Sequence, residues 1–441
     1  MEPLRVAFAP VVRPLFRGAA LGLEGRMTEA LAGLQKPLGY TLEVLGPVSG
    51  PEVLALEAKL RQDPPDLFLL GLVTFATGEV LDPLLSLPVP KILWALPEAW
   101  EGEALPQNAL CGLNLALSLP ACRTPVKWAY GPPDPGGLRR ALEPTLKALR
   151  GLVTLRQSRL LWVGGPAPGF EAFREKPATG AQVDEVELEA LLGLWHRVGE
   201  SEVEELLEAW HDPGEFTREE RARLARLALA LDRLGEGYDG IALRDWPEIP
   251  ELLGLFPAAA LALLADRGRV VAPEGDLMGL LSQLVLRAVG GGPPLLLDLV
   301  AWTERGILLW HGGEASLAWA RGPVRLLAHF NRGLPAVRDL VLRPGPVTGL
   351  RLAGRSLAVA GGALAEGPGY WGCSGWLQET SWAGRPVEPG VLLASWLEAR
   401  MPHHLALVPG DHVEALRELA AWAGLELLGG EVRPVWGVSW R

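Results

Sequence analysis

The sequence predicts an α/β protein with two Rossmann-like doubly wound α/β domains, followed by a C-terminal antiparallel β-barrel domain with helices. Up to about residue 305, short continuous apolar runs alternate with amphipathic stretches. Such runs are typical of parallel strands that are covered on both faces. From about residue 306 the apolar segments become short and are separated by Gly and Pro. That pattern indicates antiparallel β structure, either a barrel or a sandwich.

The first predicted domain covers residues 1–152. Strand-like and helix-like segments alternate along it, and this order favours a doubly wound layer. The predicted strands are residues 4–8, 41–45, 67–70, 92–95 and 126–130. The predicted helices are residues 27–35, 53–61 and 137–149.

The second predicted domain covers residues 153–305 and opens with a strand that runs into a Gly/Pro turn. Its third helix begins with Thr217 and Glu220 in the spacing of a capping box. The predicted helices are residues 185–198, 202–210, 217–234, 258–266 and 277–289. The predicted strands are residues 159–165, 240–243, 270–272 and 295–300.

The third predicted domain covers residues 306–441 and returns to helix at its end. The second of its two helices is preceded by Asp411, a residue type that caps helix starts. The predicted strands are residues 307–310, 324–330, 337–342, 347–352 and 356–360. The predicted helices are residues 391–400 and 413–422.

Composition and charge exclude several classes of protein. Hydrophobic residues make up 49% of the chain and charged residues 21%, which is typical of a folded globular protein. The net charge of −11 and the absence of a basic patch argue against a nucleic-acid partner. Three scattered cysteines are too few for a disulfide framework, so a reducing compartment is expected. We see no signal peptide and no membrane-spanning run, and we therefore expect a cytoplasmic protein without a membrane partner.

Two carboxylates stand where strand-like runs end. Glu274 follows one such run and Asp298 ends another, and ligands of α/β sheets bind at the carboxyl ends of strands. Two carboxylates delivered by separate strands can converge on one cation, or divide acid and base roles between them. The plainer alternative is that Glu274 and Asp276 cap helix 277–289, and that Asp298 ends its strand in a solvated turn.

Three histidines are further candidates. His311 follows an apolar run and precedes two glycines, which let a ligand approach closely. His403 and His404 precede another apolar run. Neighbours in an extended segment point to opposite faces, so at most one of this pair is expected to face a shared site. In the alternative interpretation each histidine is an ordinary structural or surface residue.

These candidates belong to a longer pattern. In order, it comprises Asp245-Trp246-Pro247, Pro273-Glu274-Gly275-Asp276, Asp298 and His311-Gly312. The pattern resembles the metal-binding core of the L-fucose isomerase and L-arabinose isomerase family. The separation of the two carboxylates (298 − 274 = 24) is similar to that of the fucose branch. Weaker likenesses to the family, including one to its C-terminal barrel, lie at residues 108–112, 162–170, 344–348 and 403–404.

The resemblance implies a role for each matching residue. Glu274 and Asp298 match the two carboxylates that hold Mn²⁺ and exchange protons with the substrate. His404 matches the C-terminal metal ligand, and His311 matches a histidine that is a ligand in the arabinose branch. Trp246 is implied as a wall of the sugar pocket. The remaining substrate-binding candidates are His403 and Asn108. The implied ion is Mn²⁺ or another divalent cation such as Mg²⁺ or Co²⁺.

The implied activity is that of a ketol isomerase, an intramolecular oxidoreductase that acts on a sugar or sugar derivative through an ene-diol. The family also implies a homo-oligomer, a trimer or a hexamer. Three family cysteines are replaced here by Asp245, Pro273 and Gly312. These departures keep two alternatives open. One is a catalytically lapsed member that binds sugar or regulates, and the other is a structural protein whose carboxylates are only caps.

Overall fold

The computed structural model describes residues 2–100, 102–122 and 125–441. Its strands are β1 (Leu4–Val11), β2 (Tyr40–Val44), β3 (Leu67–Leu72), β4 (Lys91–Ala95), β5 (Val126–Tyr130), β6 (Arg159–Val163), β7 (Gln182–Val186), β8 (Gly240–Leu243), β9 (Val270–Ala272), β10 (Leu295–Thr303), β11 (Gly306–His311), β12 (Arg325–Leu327), β13 (Val337–Val341), β14 (Gly345–Ala353), β15 (Ser356–Ala365), β16 (Cys373–Trp382), β17 (Arg385–Pro386), β18 (His404–Pro409), β19 (Glu426–Leu427) and β20 (Val435–Ser439).

The α-helices in the described residues mostly alternate along the chain with the strands β1 to β9. They are α1 (Leu23–Leu38), α2 (Val53–Gln62), α3 (Gly78–Leu85), α4 (Ala109–Ser118), α5 (Pro135–Gln157), α6 (Leu188–Trp195), α7 (Glu200–Ala209), α8 (Arg218–Leu234), α9 (Glu248–Leu253), α10 (Ala258–Asp266), α11 (Leu277–Gly290), α12 (Pro389–Glu398) and α13 (Val413–Ala423). None of these helices combines the length and apolarity needed to cross a bilayer.

The chain divides into two compact units, of which the first comprises Met1–Leu149, Ala421–Ala423 and Val432–Arg441. Its sheet has the order β2-β1-β3-β4-β5-β20, and every neighbouring pair is parallel. All six residues of β3 are buried, as expected for a strand covered on both faces. The edge strand β20 comes from the end of the chain, and no local sequence signal predicted it.

The second unit comprises Arg150–Ala420 and Gly424–Glu431. It contains a parallel sheet of order β7-β6-β8-β9. Helix α8 begins with the predicted capping box, in which Thr217 and Glu220 bond each other's backbone. The apolar face of α8 packs into the core beside this sheet through residues such as Leu224, Leu227 and Leu231.

The same unit also contains a ten-stranded mixed sheet, and six of its strands form a closed ring. The main order is β12-β13-β16-β11-β10-β18-β14-β15-β19, and an additional pairing joins β15 to β16. The ring therefore runs β16-β11-β10-β18-β14-β15, with antiparallel neighbours throughout. Both this ring and the parallel sheet fall within one compact unit. The division into three domains stays a prediction.

Strand β10 corrects one expectation. Residues 295–300 were predicted as the last strand of the second α/β domain, but β10 pairs antiparallel with β11 and β18 in the ring. The reason is local: only Glu304 and Arg305 separate β10 from β11. A two-residue connection can join antiparallel strands only, since parallel strands need a crossover of a dozen or more residues.

The ring also contains one strand, β16, that the sequence did not indicate. Strand β16 carries a Gly and several polar residues, and its place is fixed by pairing with β11 and β15 rather than by local apolarity. Conversely, residues 324–330 were predicted as a strand, but only Arg325–Leu327 pair, with β13.

Candidate metal centre

The turn after β9 positions Glu274. This single helical turn, Pro273–Gly275, has Glu274 at φ 60° and Gly275 at φ 69°, both left-handed. The Glu274 backbone N–H donates to the Asp245 carboxylate at 2.7 Å, which offsets part of the cost of that conformation. Asp245 is buried, and burial followed by the nearby charge of Glu274 raises its pKa to about 7. Asp245 thus acts as a support for the turn that presents Glu274.

The glycine of this turn gives a first prediction. A Cβ added at Gly275 would lie 2.0 Å from the Gly165 backbone oxygen, besides requiring a positive φ. We expect Gly275→Ala to lower the free energy of unfolding by about 2–4 kcal/mol, measured by urea denaturation. Gly268→Ala is the matched control, because Gly268 has φ +83° but open space around its Cβ position. Equal losses of unfolding free energy in the two variants would contradict a clash at Gly275.

Strand pairing brings Asp298 and His404 together. In the antiparallel β10–β18 ladder Asp298 lies directly opposite His404. Asp298 is therefore an interior residue of β10, so the expectation that it ends its strand was wrong, and so was the plainer alternative of a solvated turn. Its side chain is only 23% exposed. Antiparallel partners on one face have side chains close enough to share a ligand.

His404 Nε2 lies close to one oxygen of each carboxylate. His404 Nε2 lies 3.3 Å from Glu274 Oε2 and 3.3 Å from Asp298 Oδ1. All three atoms are buried, and none has a hydrogen-bond partner of proper geometry among the described residues. Ligands about 2.2 Å from an octahedral cation, at right angles to each other, lie about 3.1 Å apart. Each carboxylate therefore stands at a distance from His404 that fits two ligands of one divalent cation, and His404 is common to two groups of candidate ligands, one with Glu274 and one with Asp298.

The charges around these atoms favour a cation as well. Burial alone raises the pKa of Glu274 and of Asp298, but the neighbouring imidazoles outweigh burial and lower both values below the usual range. Burial lowers the pKa of His404, but its contacts with Asp276, Asp298 and Glu274 raise the value well above 6.5. The space between the two carboxylates thus stabilises positive charge.

A buried carboxylate orients His404 from behind. Asp276 lies 2.8 Å from His404 Nδ1 and is fully buried. It also accepts from the Gly279 N–H at 2.8 Å, as the N-cap of α11, and from both terminal nitrogens of Arg351. Because Nδ1–H is donated to Asp276, the Nε2 lone pair is available for a metal. The sequence had indicated Asp276 only as a cap.

His311 and His403 lie beside the centre in different ways. His311 Nδ1 bonds Glu314 at 2.7 Å, and both residues are buried. Burial lowers the pKa of His311, but the charge of Glu314 more than reverses this and raises it to about 9. Suitably placed ligand atoms form two groups: Glu274 with His403 and His404, and Asp298 with His311 and His404.

The expectation that only one of the adjacent histidines faces the site was wrong. His403 Nε2 lies 3.7 Å from Glu274 and 3.8 Å from Asp298, although its side chain is 45% exposed. Alternation holds within a regular strand, and β18 begins only at His404. The buried His404 therefore forms the floor of the centre, while His403 stands at its solvent side.

Aromatic rings line the centre. Phe173 stacks on His404 with centroids 4.8 Å apart, and Phe170 contacts His403 at 5.6 Å. Trp246, which precedes Pro247 in a cis peptide bond, meets Phe170 edge to face at 5.5 Å. Trp246 is thus near the centre through Phe170, and its role as a pocket wall stays a prediction.

The remaining candidate, Asn108, lies in the first compact unit at the start of α4, where its backbone N–H donates to Glu98. Its role in substrate binding stays a prediction. The sequence did not indicate four residues that support the centre. Arg351, Phe173 and Phe170 act through partners far along the chain, whereas Glu314 bonds His311 three residues before it.

Curated relatives named sulfoquinovose isomerase align with most of the chain. The protein of Priestia aryabhattai is 28% identical over 391 residues, which cover 82% of this chain and 84% of the relative. That of Alkalicoccus urumqiensis is 24% identical and covers 94% and 97%. That of Clostridium sp. (strain MSTE9) is 24% identical and covers 97% and 99%. Relatedness of this extent makes the chain an isomerase, and the structural alternative is set aside.

Other comparisons add little. No protein-family model matches the chain. Among solved structures, a solute-binding protein of an ABC transporter from Agrobacterium vitis covers 64% of this chain and 89% of its own, at 11% identity and a TM-score of 0.18. A TM-score of this size supports no conclusion about fold or ligand.

Proposed function

We propose that the chain is a divalent-metal-dependent ketol isomerase that interconverts an aldose and its ketose, with sulfoquinovose or a similar sugar as substrate. One observation carries the proposal: buried oxygens of Glu274 and Asp298 each lie 3.3 Å from the buried His404 Nε2, and none of the three atoms has a hydrogen-bond partner among the described residues. The names of the relatives support the sugar. A homo-oligomer, a trimer or hexamer, and a cytoplasmic location stay predictions.

The donor set favours particular ions. Two carboxylate oxygens and one imidazole nitrogen suit Mn²⁺, Mg²⁺ or Co²⁺ better than Zn²⁺, which prefers nitrogen and sulfur. We assign the ion to His404, which belongs to both groups of candidate ligand atoms, and to the carboxylates of Glu274 and Asp298, one from each group; His403 and His311 are the remaining members. A divalent cation bound there supplies Lewis acidity, which polarises the sugar carbonyl and stabilises an ene-diolate.

The side chains supply the proton transfers. Isomerisation moves one proton between C1 and C2 and another between O1 and O2, so it needs two groups that exchange protons. Glu274 and Asp298 are both partly accessible, at 18% and 23%, and face one centre. We assign these transfers to this pair. The side chain of His403 is 45% exposed, and its Nε2 lies near both carboxylates, where it can bind a substrate hydroxyl.

Metal binding gives a second prediction. Addition of Mn²⁺ to chelator-treated protein is expected to raise the melting temperature, because the ion binds the folded chain only. At one hundred times Kd the stabilisation is about 2.7 kcal/mol. Differential scanning fluorimetry with EDTA reversal measures the shift. An Asp298→Asn variant should lose most of it, and an unchanged shift in that variant would place the ion elsewhere.

The activity itself is tested by product analysis. Sulfoquinovose and a panel of neutral aldoses are incubated with the Mn²⁺-loaded enzyme, and the ketoses are identified by NMR. Exchange of the C2 proton with solvent deuterium reports the ene-diol route. Absence of any ketose from the whole panel, with the metal shown to be bound, would reject the ketol-isomerase proposal.

A further inference from the structure

We propose that Arg332 binds the anionic group of the substrate, the sulfonate at C6 in sulfoquinovose, and so sets the specificity of the enzyme. This inference rests on the proposed function. The Arg332 guanidinium carbon lies 5.4 Å from the centroid of the Trp246 ring, and the residue is exposed. Among the residues that the structure describes, no carboxylate forms an ion pair with it. Its charge is therefore available to a ligand.

One chain of ring contacts connects Arg332 to the metal centre. Trp246 lies beneath the guanidinium. Its ring centroid is 5.5 Å from that of Phe170, and the Phe170 centroid is 5.6 Å from that of His403. His403 Nε2 is in turn 3.7 Å from Glu274. Aromatic faces pack against the C–H groups of sugars. A sugar whose C1 and C2 lie at the carboxylates thus has an apolar wall that leads toward Arg332.

A second chain reaches the same segment from the other side. Phe330, two residues before Arg332, meets Trp310 edge to face at 5.3 Å. Trp310 stacks on His311 at 6.2 Å, and His311 lies 5.3 Å from His404. Two independent sets of contacts therefore hold the segment around Arg332 beside the centre.

Charge explains why an anionic substrate needs this residue. The protein carries a net charge of −11, and Glu274, Asp298 and Glu314 surround the centre. The nearby Arg351 is already paired with Asp276 inside the protein. Without a positively charged side chain to pair with, a sulfonate would be repelled by these carboxylates. Arginine presents a planar fork of N–H donors that matches such an oxyanion, and the Trp246 face holds that fork in place.

Equilibrium binding separates this inference from the proposed activity. Calorimetric titration with sulfoquinovose and, separately, with glucose is carried out on wild-type, Arg332→Gln and Arg197→Gln proteins loaded with Mn²⁺. Arg197 is the matched control, since it is an exposed arginine whose guanidinium bonds the Gly193 carbonyl and, within the described part of the chain, no carboxylate. We expect Arg332→Gln to weaken sulfoquinovose binding about 10- to 100-fold, and glucose binding to be unaffected. Salt should weaken sulfoquinovose binding in the wild type more than in the variant.

The outcomes are distinct. Equal sulfoquinovose affinity in wild type and Arg332→Gln, equal losses for both sugars, or no sulfoquinovose binding by the wild type would each overturn the role of Arg332. Selective loss of sulfoquinovose binding in Arg332→Gln alone supports it. If that selective loss appears but no ketose forms, the inference stands and the isomerase proposal fails. Arg332→Lys, which keeps the charge but not the fork, should show an intermediate affinity.

Discussion

Replacing Glu274 with glutamine is expected to lower kcat by about 10³-fold or more. The change removes one anionic ligand atom, which lies 3.3 Å from His404 Nε2, and one of the two groups that we assign to proton transfer. Positioned acid–base groups contribute about 10²–10⁴-fold, and loss of a metal ligand adds to this. Ketose formation is measured over a range of Mn²⁺ concentrations.

The metal series distinguishes the two roles of Glu274. If it were a ligand only, saturating Mn²⁺ would restore wild-type kcat, and the acid–base assignment would be wrong. If it has both roles, kcat stays low when the metal site is full. Glu251→Gln is the matched control, because Glu251 is exposed on α9 in the same compact unit. We expect the Glu251→Gln variant to have the same kcat as the wild type.

Asp276→Asn is expected to damage both metal binding and stability. Every described partner of the Asp276 carboxylate is a donor: His404 Nδ1, the Gly279 N–H and the Arg351 guanidinium. The NH₂ group of an asparagine would face one of these donors and could not accept from it. The conflict is removed if the His404 proton moves from Nδ1 to Nε2, but Nε2 can then no longer bind a metal. We expect about 10–100-fold weaker Mn²⁺ binding by calorimetry. Uncompensated burial of Arg351 should cost about 3–5 kcal/mol of unfolding free energy.

A double variant separates these two effects. Arg351 is 1% exposed, so Arg351→Met removes the buried charge while it keeps the volume of the side chain similar. Asp276→Asn with Arg351→Met should recover much of the stability but not the Mn²⁺ affinity. Recovery of full Mn²⁺ affinity in the double variant would show that Asp276 does not act through the tautomer of His404.

The sequence predicted those parts of the site that local pattern or family likeness reveals. Glu274 follows a strand, as expected, and of the adjacent histidines His403 precedes β18 while His404 is its first residue. The second role of Asp276 was not predictable, because it depends on Arg351 and His404, which lie 75 and 128 residues away. Helix capping is enough to explain an aspartate at the start of a helix. The sequence around Asp276 therefore gives no sign that it has a further partner.

The same limit applies to the fold. Continuous apolar runs revealed β3 and β4, whose residues are all buried. Strand β10 has an equally apolar start, and only its short connection to β11 determines that it runs antiparallel. Periodicity reports the environment of a segment, whereas the identity of its neighbours is decided by pairing across the whole unit.

The closed ring of strands has a consequence for biosynthesis. His404 belongs to β18, which joins β10 to β14, so the centre is complete only when this late strand has entered the ring. Ribosomes deliver the polypeptide from its N-terminus, at about 5–20 residues per second. Glu274 and Asp298 therefore leave the ribosome well before their imidazole partner. With the proposed assignment of the metal, ion capture is a late event, and we expect a nascent chain released before residue 404 to retain no tightly held ion.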